Sequence, residues 1–276
     1  MQFEKPTATT NPPQPGDGTP VEYPLETEEK LNLLHSRAPV GQHLDILFRD
    51  ARIGGENFAD LYRRCLKATG TAVTPFNVFQ RFQSRLNLAH YFLATLPVPG
   101  ARAECGVYRG ATALLLCHAW RSRQAAFRGG DFYLIDSYAG ASVSGEPDLI
   151  AARDADGTVR REAFFPAGKT DTSPALVRGF FGDFPDVRVC AGWIPQVFAT
   201  LPGRDWAFVH LDVTLYAPTL AALEYFYPRL HTGGVILCDD YGSIFCPGSQ
   251  QAWDEFCARH DIAFVVLGNR QSVIIK

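Results

Sequence analysis

The sequence lacks several features that would each point to a particular class of protein. Its formal net charge is −3, so it has no basic surplus of the kind that nucleic-acid-binding proteins show. The seven cysteines form no CxxC pair, and several lie in apolar runs, which favours buried thiols in a reducing compartment. No apolar run reaches membrane-spanning length, and the start, MQFEKP, lacks the charged-then-apolar pattern of a signal peptide. We therefore predict a cytoplasmic protein that binds neither nucleic acid nor membrane.

The first 98 residues divide into two segments that differ in composition and pattern. Residues 1–24 are rich in Pro, Thr and Gly and poor in large apolar residues, which predicts a disordered tail. Residues 25–98 are predicted to form a helical cap or lid. Within this segment, apolar residues recur at a spacing of three to four: Phe79, Phe82, Leu86, Leu88 and Phe92.

After Pro99-Gly100, short apolar runs alternate with helical stretches, which predicts a parallel sheet with helices on both faces. The predicted strands are residues 101–105, 132–135, 187–190, 207–211, 235–238, 263–267 and 272–275. Four residues join the last two runs, too few for a parallel crossover, so these runs should form an antiparallel hairpin. The fold class is therefore α/β, with a seven-stranded, mostly parallel sheet spanning residues 99–276. The segment 138–183 is long for one crossover, and we expect it to act as a lid or acceptor-binding insertion.

The first predicted strand ends in ECGVYRG, followed by a helix from Thr112. Gly106 and Gly110 would allow close approach of a ligand to the backbone, although the spacing is not the GxGxxG of dinucleotide-binding proteins. Glu104 would suit a ligand with a cationic amine or sulfonium; an ordinary strand–turn–helix with a solvated glutamate is the alternative. Asp136, at the end of the second strand, would accept hydrogen bonds from a ribose diol or cap a helix.

Two adjacent carboxylates follow the buried strand in VILCDDYG, where like charges repel and resist desolvation. Asp212 ends the preceding strand, so Asp212, Asp239 and Asp240 should meet at one sheet edge. Three oxygen donors would suit Mg²⁺. The alternative is that one carboxylate caps a turn and another faces water. His210 lies on the same face as Asp212 and is either a pocket-wall residue or a proton acceptor.

Five motifs in order resemble the macrocin O-methyltransferase family: ECGVYRGATA, LIDSYAG, AGWIPQVFATLP, the stretch from VHLDVTLY to CDDYG, and AWDEF. The resemblance covers roughly residues 75–275 and implies a Rossmann-like class I methyltransferase that uses S-adenosylmethionine to methylate hydroxyls of sugars or natural products. It implies cofactor-binding roles for Glu104, Gly106, Tyr108, Gly110, Asp136, Ser137, Gly192 and Trp193. It implies that Asp212, Asp239 and Asp240 bind Mg²⁺ and that Asp212 assists deprotonation of the acceptor. His210, from its position on the strand, is a second candidate for accepting that proton.

Two features depart from the family pattern. Thr214 stands where members usually carry a second aspartate, and the C-terminus, GNRQSVIIK, lacks the aromatic and basic ending of the antibiotic-sugar members. Thr214 leaves open a cofactor-binding or assembly protein that has lost its chemistry. A second rival is an NAD(P)-dependent oxidoreductase on a similar sheet, against which the missing GxGxxG and the aspartate cluster argue. The acceptor stays open among a sugar, a glycosylated metabolite and a phenol. A homo-oligomer is compatible with the sequence, but nothing in the sequence requires one.

Overall fold

The computed structural model describes residues 40–73, 78–153, 156 and 158–276. The predicted tail, residues 1–24, lies outside these ranges. The chain divides into two compact units, residues 1–47 and residues 48–276. Of the first unit, the structure describes helix α1, Val40–Leu47.

Two helices precede the sheet within the second unit. A short hairpin of β1 (Arg52–Ile53) and β2 (Glu56–Asn57) leads into α2 (Phe58–Thr69). The side chain of Asn57 accepts a hydrogen bond from the Asp60 amide, and left-handed Gly70 ends the helix, so both ends of α2 are capped. Helix α3 (Val78–Ala94) follows, and most of the apolar residues that predicted it are buried.

The central sheet has the seven predicted strands. They are β3 (Ala101–Cys105), β4 (Phe132–Asp136), β7 (Arg188–Ala191), β8 (Trp206–Leu211), β9 (Leu230–Cys238), β10 (Val265–Val266) and β11 (Ser272–Ile275). Their order across the sheet is β10-β11-β9-β8-β3-β4-β7. Strands β7, β4, β3, β8 and β9 pair in parallel, whereas β11 pairs antiparallel with both β9 and β10. The prediction of a mostly parallel sheet ending in an antiparallel hairpin is confirmed.

The chain leaves β3 in one direction along the sheet and returns to β3's other side at β8, so the topological switch point lies between these strands. Ligands of open α/β sheets bind beyond the carboxyl ends of the strands at such a point. Helix α4 (Ala111–Arg123) follows β3, α6 (Tyr216–Phe226) follows β8, and α7 (Pro247–His260) follows β9. Among the described residues, no helix is both long and apolar enough to cross a bilayer.

Successive side chains of a strand point to opposite faces, and this alternation decides which helices each strand residue meets. Val209 and Ile236 belong to a core cluster that includes residues of α6 and α7. Phe208 and Phe132, at alternate positions, pack instead against Phe92 of α3. Helices therefore cover both faces, as predicted, and the face that carries Phe208 also carries Glu104, His210 and Asp212.

The insertion, residues 138–183, contains a hairpin of β5 (Leu149–Arg153) and β6 (Val159–Ala163) and helix α5 (Pro174–Phe180). Ser173 caps α5 by accepting a hydrogen bond from the Leu176 amide. Just before the hairpin, the buried carboxylate of Asp148 accepts a hydrogen bond from the Tyr216 amide, 2.7 Å away, at the start of α6. This contact ties the insertion to the sheet's carboxyl edge; the lid function of the insertion stays a prediction.

Candidate active site

Glu104 and His210 form a buried pair at the switch point. They occupy opposite positions on the parallel strands β3 and β8, and His210 Nδ1 lies 2.9 Å from Glu104 Oε1. Burial raises the pKa of Glu104, and the contact with His210 opposes this rise. Glu104 Oε2 and His210 Nε2 are buried without a hydrogen-bond partner among the described residues. Two polar atoms are thus available to a ligand at the point where the fold places one.

A buried arginine from α3 lies among the carboxylates. Arg85 is 1% exposed, and its Nη1 donates to Asp239 Oδ1 at 2.7 Å while its Nη2 donates to Asp212 Oδ2 at 3.0 Å. Its Nε donates to Thr112 Oγ1, 2.8 Å away, at the start of α4. The repulsion that the sequence raised between the neighbouring carboxylates is therefore relieved in part by an arginine side chain.

Arg85, which is buried, and Asp239, which is half-buried, keep each other charged. Burial opposes the charge of Arg85, but Asp239 and Asp212 outweigh it, so the pKa of Arg85 lies well above its usual value. Burial also works against ionised Asp239, yet Arg85 outweighs it and lowers the pKa of Asp239. Asp239 Oδ1 accepts a second hydrogen bond, from Gln271 Nε2 at 2.7 Å. The carboxylate of Asp239 is thus fixed by α3 and by the residue that precedes β11.

Asp240 faces another environment. Its Oδ2 accepts a hydrogen bond from the Thr214 amide at 2.8 Å, and its Oδ1 lies 3.5 Å from Cys246 Sγ. Burial, with Asp212 and Asp239 nearby, raises the pKa of Asp240 well above its usual value. Within the part of the chain that the structure describes, the group able to share one ion is His210, Asp212 and Asp239, whose ligand atoms lie within 4.8 Å of one another.

Gly106 is required by a close approach of two strand ends. Its φ is +87°, and a Cβ on this residue would lie 1.9 Å from the carbonyl oxygen of Asp212. No side chain fits there, because the conformation favours glycine and the backbone of Asp212 occupies the space. The absence of a side chain at Gly106 therefore lets the backbone of Asp212 come close to the end of β3.

Asp136 organises the loop after β3. Its Oδ2 accepts hydrogen bonds from the amides of Val107 (2.7 Å) and Tyr108 (2.9 Å), and its Oδ1 accepts one from the amide of Tyr138 (2.7 Å). The side chain thus binds amides of two loops; none of these amides starts a helix, so the helix-cap role is not observed, and the ribose role stays a prediction. Ser137 makes a smaller turn beside it, since its hydroxyl donates to the carbonyl of Gly140.

The other predicted cofactor residues line the loops at this edge. Tyr108 is 40% exposed and Trp193 is 43% exposed, which leaves both rings available for stacking. Gly110 is the N-cap of α4, with φ +84°, and a Cβ there would lie 2.9 Å from the ring of Phe181. Gly192 is extended, at φ +157°, and its amide donates to the carbonyl of Asp136.

Three residues of this site were not predicted from the sequence. Arg85 and Gln271 hold the carboxylates, and the hydroxyl of Tyr138 is buried without a partner among the described residues. Burial raises the pKa of Tyr138, and Asp136 and Glu104 add to the effect, so this hydroxyl stays a protonated donor. The burial of Arg85 could have been predicted, because Arg85 lies on the same apolar stripe of α3 as Phe82 and Phe92.

Known proteins resemble this chain in sequence and in fold. A family model described as Macrocin-O-methyltransferase (TylF) matches residues 80–267. The demethyldecarbamoylnovobiocin O-methyltransferase of Streptomyces niveus is 29% identical over 170 residues, which cover 60% of this chain and 61% of that protein. The mycinamicin III 3''-O-methyltransferase of Micromonospora griseorubida is 27% identical over 183 residues, covering 64% of this chain and 68% of that protein.

Solved structures share the fold over a longer range. The O-methyltransferase NovP aligns with a TM-score of 0.57 at 22% identity, covering 86% of this chain and 99% of that chain. CalS11, a calicheamicin methyltransferase, aligns with a TM-score of 0.55 at 19% identity, covering 97% and 99% of the two chains. The sheet is that of a class I methyltransferase. Because the family model matches more than half of the sequence, the chain belongs to the macrocin O-methyltransferase family.

Proposed function

We propose that the protein transfers a methyl group from S-adenosylmethionine to a hydroxyl of a sugar or sugar-bearing natural product. The observation that carries this proposal is the state of Asp212 at the switch point. One carboxylate oxygen is fixed by Arg85, the other accepts no hydrogen bond from the described residues, and the side chain is 25% exposed. A held, partly exposed carboxylate is suited to accept a proton from a hydroxyl that must become a nucleophile.

The unpartnered polar atoms fit the cofactor. Glu104 Oε2 would accept a hydrogen bond from the cationic amino group of its methionine part, and the Tyr138 hydroxyl would donate one nearby. Asp136 and the loop of Gly106 would hold the ribose, and Trp193 would stack on the adenine. The bound cofactor would supply a methyl group on a positively charged sulfur, open to in-line attack. The chain's own part is to hold the reacting groups in line.

Asp212 is the proposed base, with His210 as the alternative. The proton of the acceptor hydroxyl would pass to Asp212 Oδ1, because Oδ2 already accepts from Arg85. His210 Nε2 is also unpartnered, but the ring is fully buried and bound to Glu104. We therefore assign His210 to orienting Glu104 and closing the pocket wall.

A divalent ion would fit this site with a ligand set that differs from the three aspartates expected from the sequence. Mg²⁺ is commonly bound by one or two carboxylates together with water and substrate oxygens. Asp239 would hold it through the oxygen that Arg85 leaves free, with His210 and Asp212 alongside, whereas Asp240 is engaged by Thr214. A bound ion would lower the pKa of the acceptor hydroxyl and orient it.

The acceptor class rests on the relatives. Two matched proteins are named as methyltransferases of decarbamoylnovobiocin and mycinamicin derivatives, and CalS11 is titled a calicheamicin methyltransferase. Family membership argues against the oxidoreductase alternative. All seven cysteines are free thiols, which supports our placement of the protein in a reducing cytoplasm. Homo-oligomerisation and the lid function of residues 138–183 remain proposals.

Thermal melts with S-adenosylhomocysteine, in Mg²⁺ and in chelator, test cofactor and ion separately. Ligand at about 100 times its dissociation constant stabilises by roughly 2.7 kcal/mol. That corresponds to a rise in Tm of about 5–10 °C for a domain of this size. A further rise with Mg²⁺ would support the ion. Absence of any shift with the homocysteine product would refute cofactor binding.

Asp212→Asn tests the base. We expect it to retain the Tm shift with S-adenosylhomocysteine and to lose methyl transfer by about 100-fold or more on a glycosylated natural-product acceptor. Asp186→Asn is the matched control, because Asp186 is an exposed carboxylate that pairs with Arg128 away from the site. Wild-type rates in Asp212→Asn would rule out the proposed base.

A further inference from the structure

Arg85 is the only described residue that contacts both Asp212 and Asp239 by hydrogen bonds. These carboxylates follow neighbouring strands of the sheet, and the arginine reaches them from α3, which precedes the sheet in sequence. Its third bond, to Thr112, fixes the guanidinium at the start of α4. One side chain thus joins four elements at the switch point.

We propose that Arg85 is the positioning residue of this acidic edge: it bridges Asp212 and Asp239 and supplies positive charge there before any divalent ion or acceptor binds. The role as positioner of the base rests on the proposed function. Arg85 fixes Oδ2 of Asp212, so the proton-accepting oxygen is Oδ1. It also competes with a divalent ion for the same two carboxylates.

The geometry requires a guanidinium. Its planar fork directs separate N–H groups at two acceptors, whereas a lysine ammonium is a single compact charge that cannot hold the same arrangement. Each of the two carboxylates accepts a hydrogen bond from one terminal nitrogen, and Thr112 Oγ1 accepts one from Nε. All three nitrogens of the guanidinium therefore donate hydrogen bonds.

A second buried arginine shows what a structural role alone looks like. Arg102 is 5% exposed and lies near the opposite end of β3, where its guanidinium donates to the backbone carbonyls of Gly100, Thr95 and Val98. Backbone carbonyls accept from both terminal nitrogens, no carboxylate among the described residues is hydrogen-bonded to it, and its Nε is buried without a partner there. Arg102 is therefore a matched control for the loss of a buried arginine.

The test measures divalent-ion binding by the cofactor-free protein. Mn²⁺ and Mg²⁺ are titrated calorimetrically into wild type, Arg85→Met, Arg85→Lys and Arg102→Met. We expect Arg85→Met to bind Mn²⁺ at least about tenfold more tightly than wild type, because a positive charge a few ångströms from the ion has been removed. Arg85→Lys keeps the charge and should gain less than about threefold, and Arg102→Met should not change.

Two results would overturn the proposal. One is unchanged Mn²⁺ affinity in Arg85→Met; the other is an equal gain in Arg102→Met, which would reflect general loosening. The melt with S-adenosylhomocysteine is run on wild type and each folded variant. If the Tm of wild type does not rise with S-adenosylhomocysteine, the proposed cofactor is refuted. The Mn²⁺ titrations then still decide the role of Arg85 at the carboxylates.

If Arg85→Met does not fold, arginine side-chain NMR on ¹⁵N-labelled protein decides the matter. We expect separate, slowly exchanging Nη–H signals from Arg85 in wild type, because both terminal nitrogens are held. Asp239→Asn removes a charged acceptor and should bring these signals closer to averaging. Free rotation of the Arg85 guanidinium in wild type would contradict the bridge.

Discussion

Asp148 anchors the insertion to the start of α6, and its contact with Gly248 decides whether Gly248→Ala stabilises or destabilises the protein. Asp148 accepts hydrogen bonds from the amides of Tyr216 (2.7 Å) and Gly145 (2.8 Å). A Cβ on Gly248, in the first turn of α7, would lie 1.9 Å from Asp148 Oδ1. Gly248→Ala must therefore displace the carboxylate, although alanine is worth up to about 1 kcal/mol more than glycine in a helix.

The magnitudes follow from the bonds at stake. A hydrogen bond to a charged group contributes about 1.5–3 kcal/mol, and loss of a helix N-cap costs about 1–2 kcal/mol. We expect Asp148→Ala to lower the free energy of unfolding by about 2–4 kcal/mol. Gly248→Ala should cost about 2 kcal/mol or more in wild type, since it breaks the same anchor. In Asp148→Ala the obstacle is gone, and the remaining contact is with Tyr216 Cβ at 3.0 Å.

Urea unfolding of the four proteins in this double-mutant cycle measures the coupling. We expect Gly248→Ala to have almost no cost, or a small gain, in the Asp148→Ala background, which makes the coupling about 2 kcal/mol. Asp171→Ala, an exposed aspartate of the same insertion, should stay within about 0.5 kcal/mol of wild type. If the two single effects add within about 0.5 kcal/mol, the contact between Asp148 and position 248 is refuted.

Three further substitutions test the cofactor side of the site. Gly106→Ala should lower the free energy of unfolding by about 3 kcal/mol or more, because φ is positive and the Cβ meets the carbonyl of Asp212; a loss below about 1 kcal/mol in urea unfolding would contradict this. Asp136→Asn sets an amide NH₂ against backbone N–H groups, so we expect a loss of about 2 kcal/mol in urea and weaker S-adenosylhomocysteine binding by calorimetry; wild-type values would count against the loop role. Trp193→Ala should leave unfolding within about 0.5 kcal/mol and weaken that binding about three- to tenfold; unchanged affinity would remove the ring from the adenine site.

The sheet could be predicted from sequence because its signals are local. Each strand is a short apolar run, and a four-residue connection permits only a hairpin between the last two. The predicted strand bounds differ from the observed ones where polarity changes inside a strand. Strand β9 begins at Leu230, before the predicted run at 235, and β10 keeps only Val265 and Val266 of the predicted five residues.

The adjacent aspartates have different partners, although both come directly after β9, which ends at Cys238. Asp239 accepts a hydrogen bond from Arg85 of α3, whereas Asp240 accepts one from the Thr214 amide and lies beside Cys246. Convergence of three carboxylates was expected from a shared edge; the ligand atoms that lie within 4.8 Å of one another belong to Asp212, Asp239 and His210. The partners come from distant parts of the chain, which the run of residues around the two aspartates does not reveal.

The contact between Arg85 and the carboxylates could not be derived from local pattern, since 127 and 154 residues separate Arg85 from Asp212 and Asp239. Two local anomalies nevertheless pointed to it. An arginine on the apolar stripe of a helix must find a buried partner, and adjacent carboxylates after a buried strand need a cation. A helix that packs on the face carrying Asp212 and Asp239 satisfies both requirements at once. For Asp212 and Asp239, a positive charge is supplied by Arg85 of the chain itself.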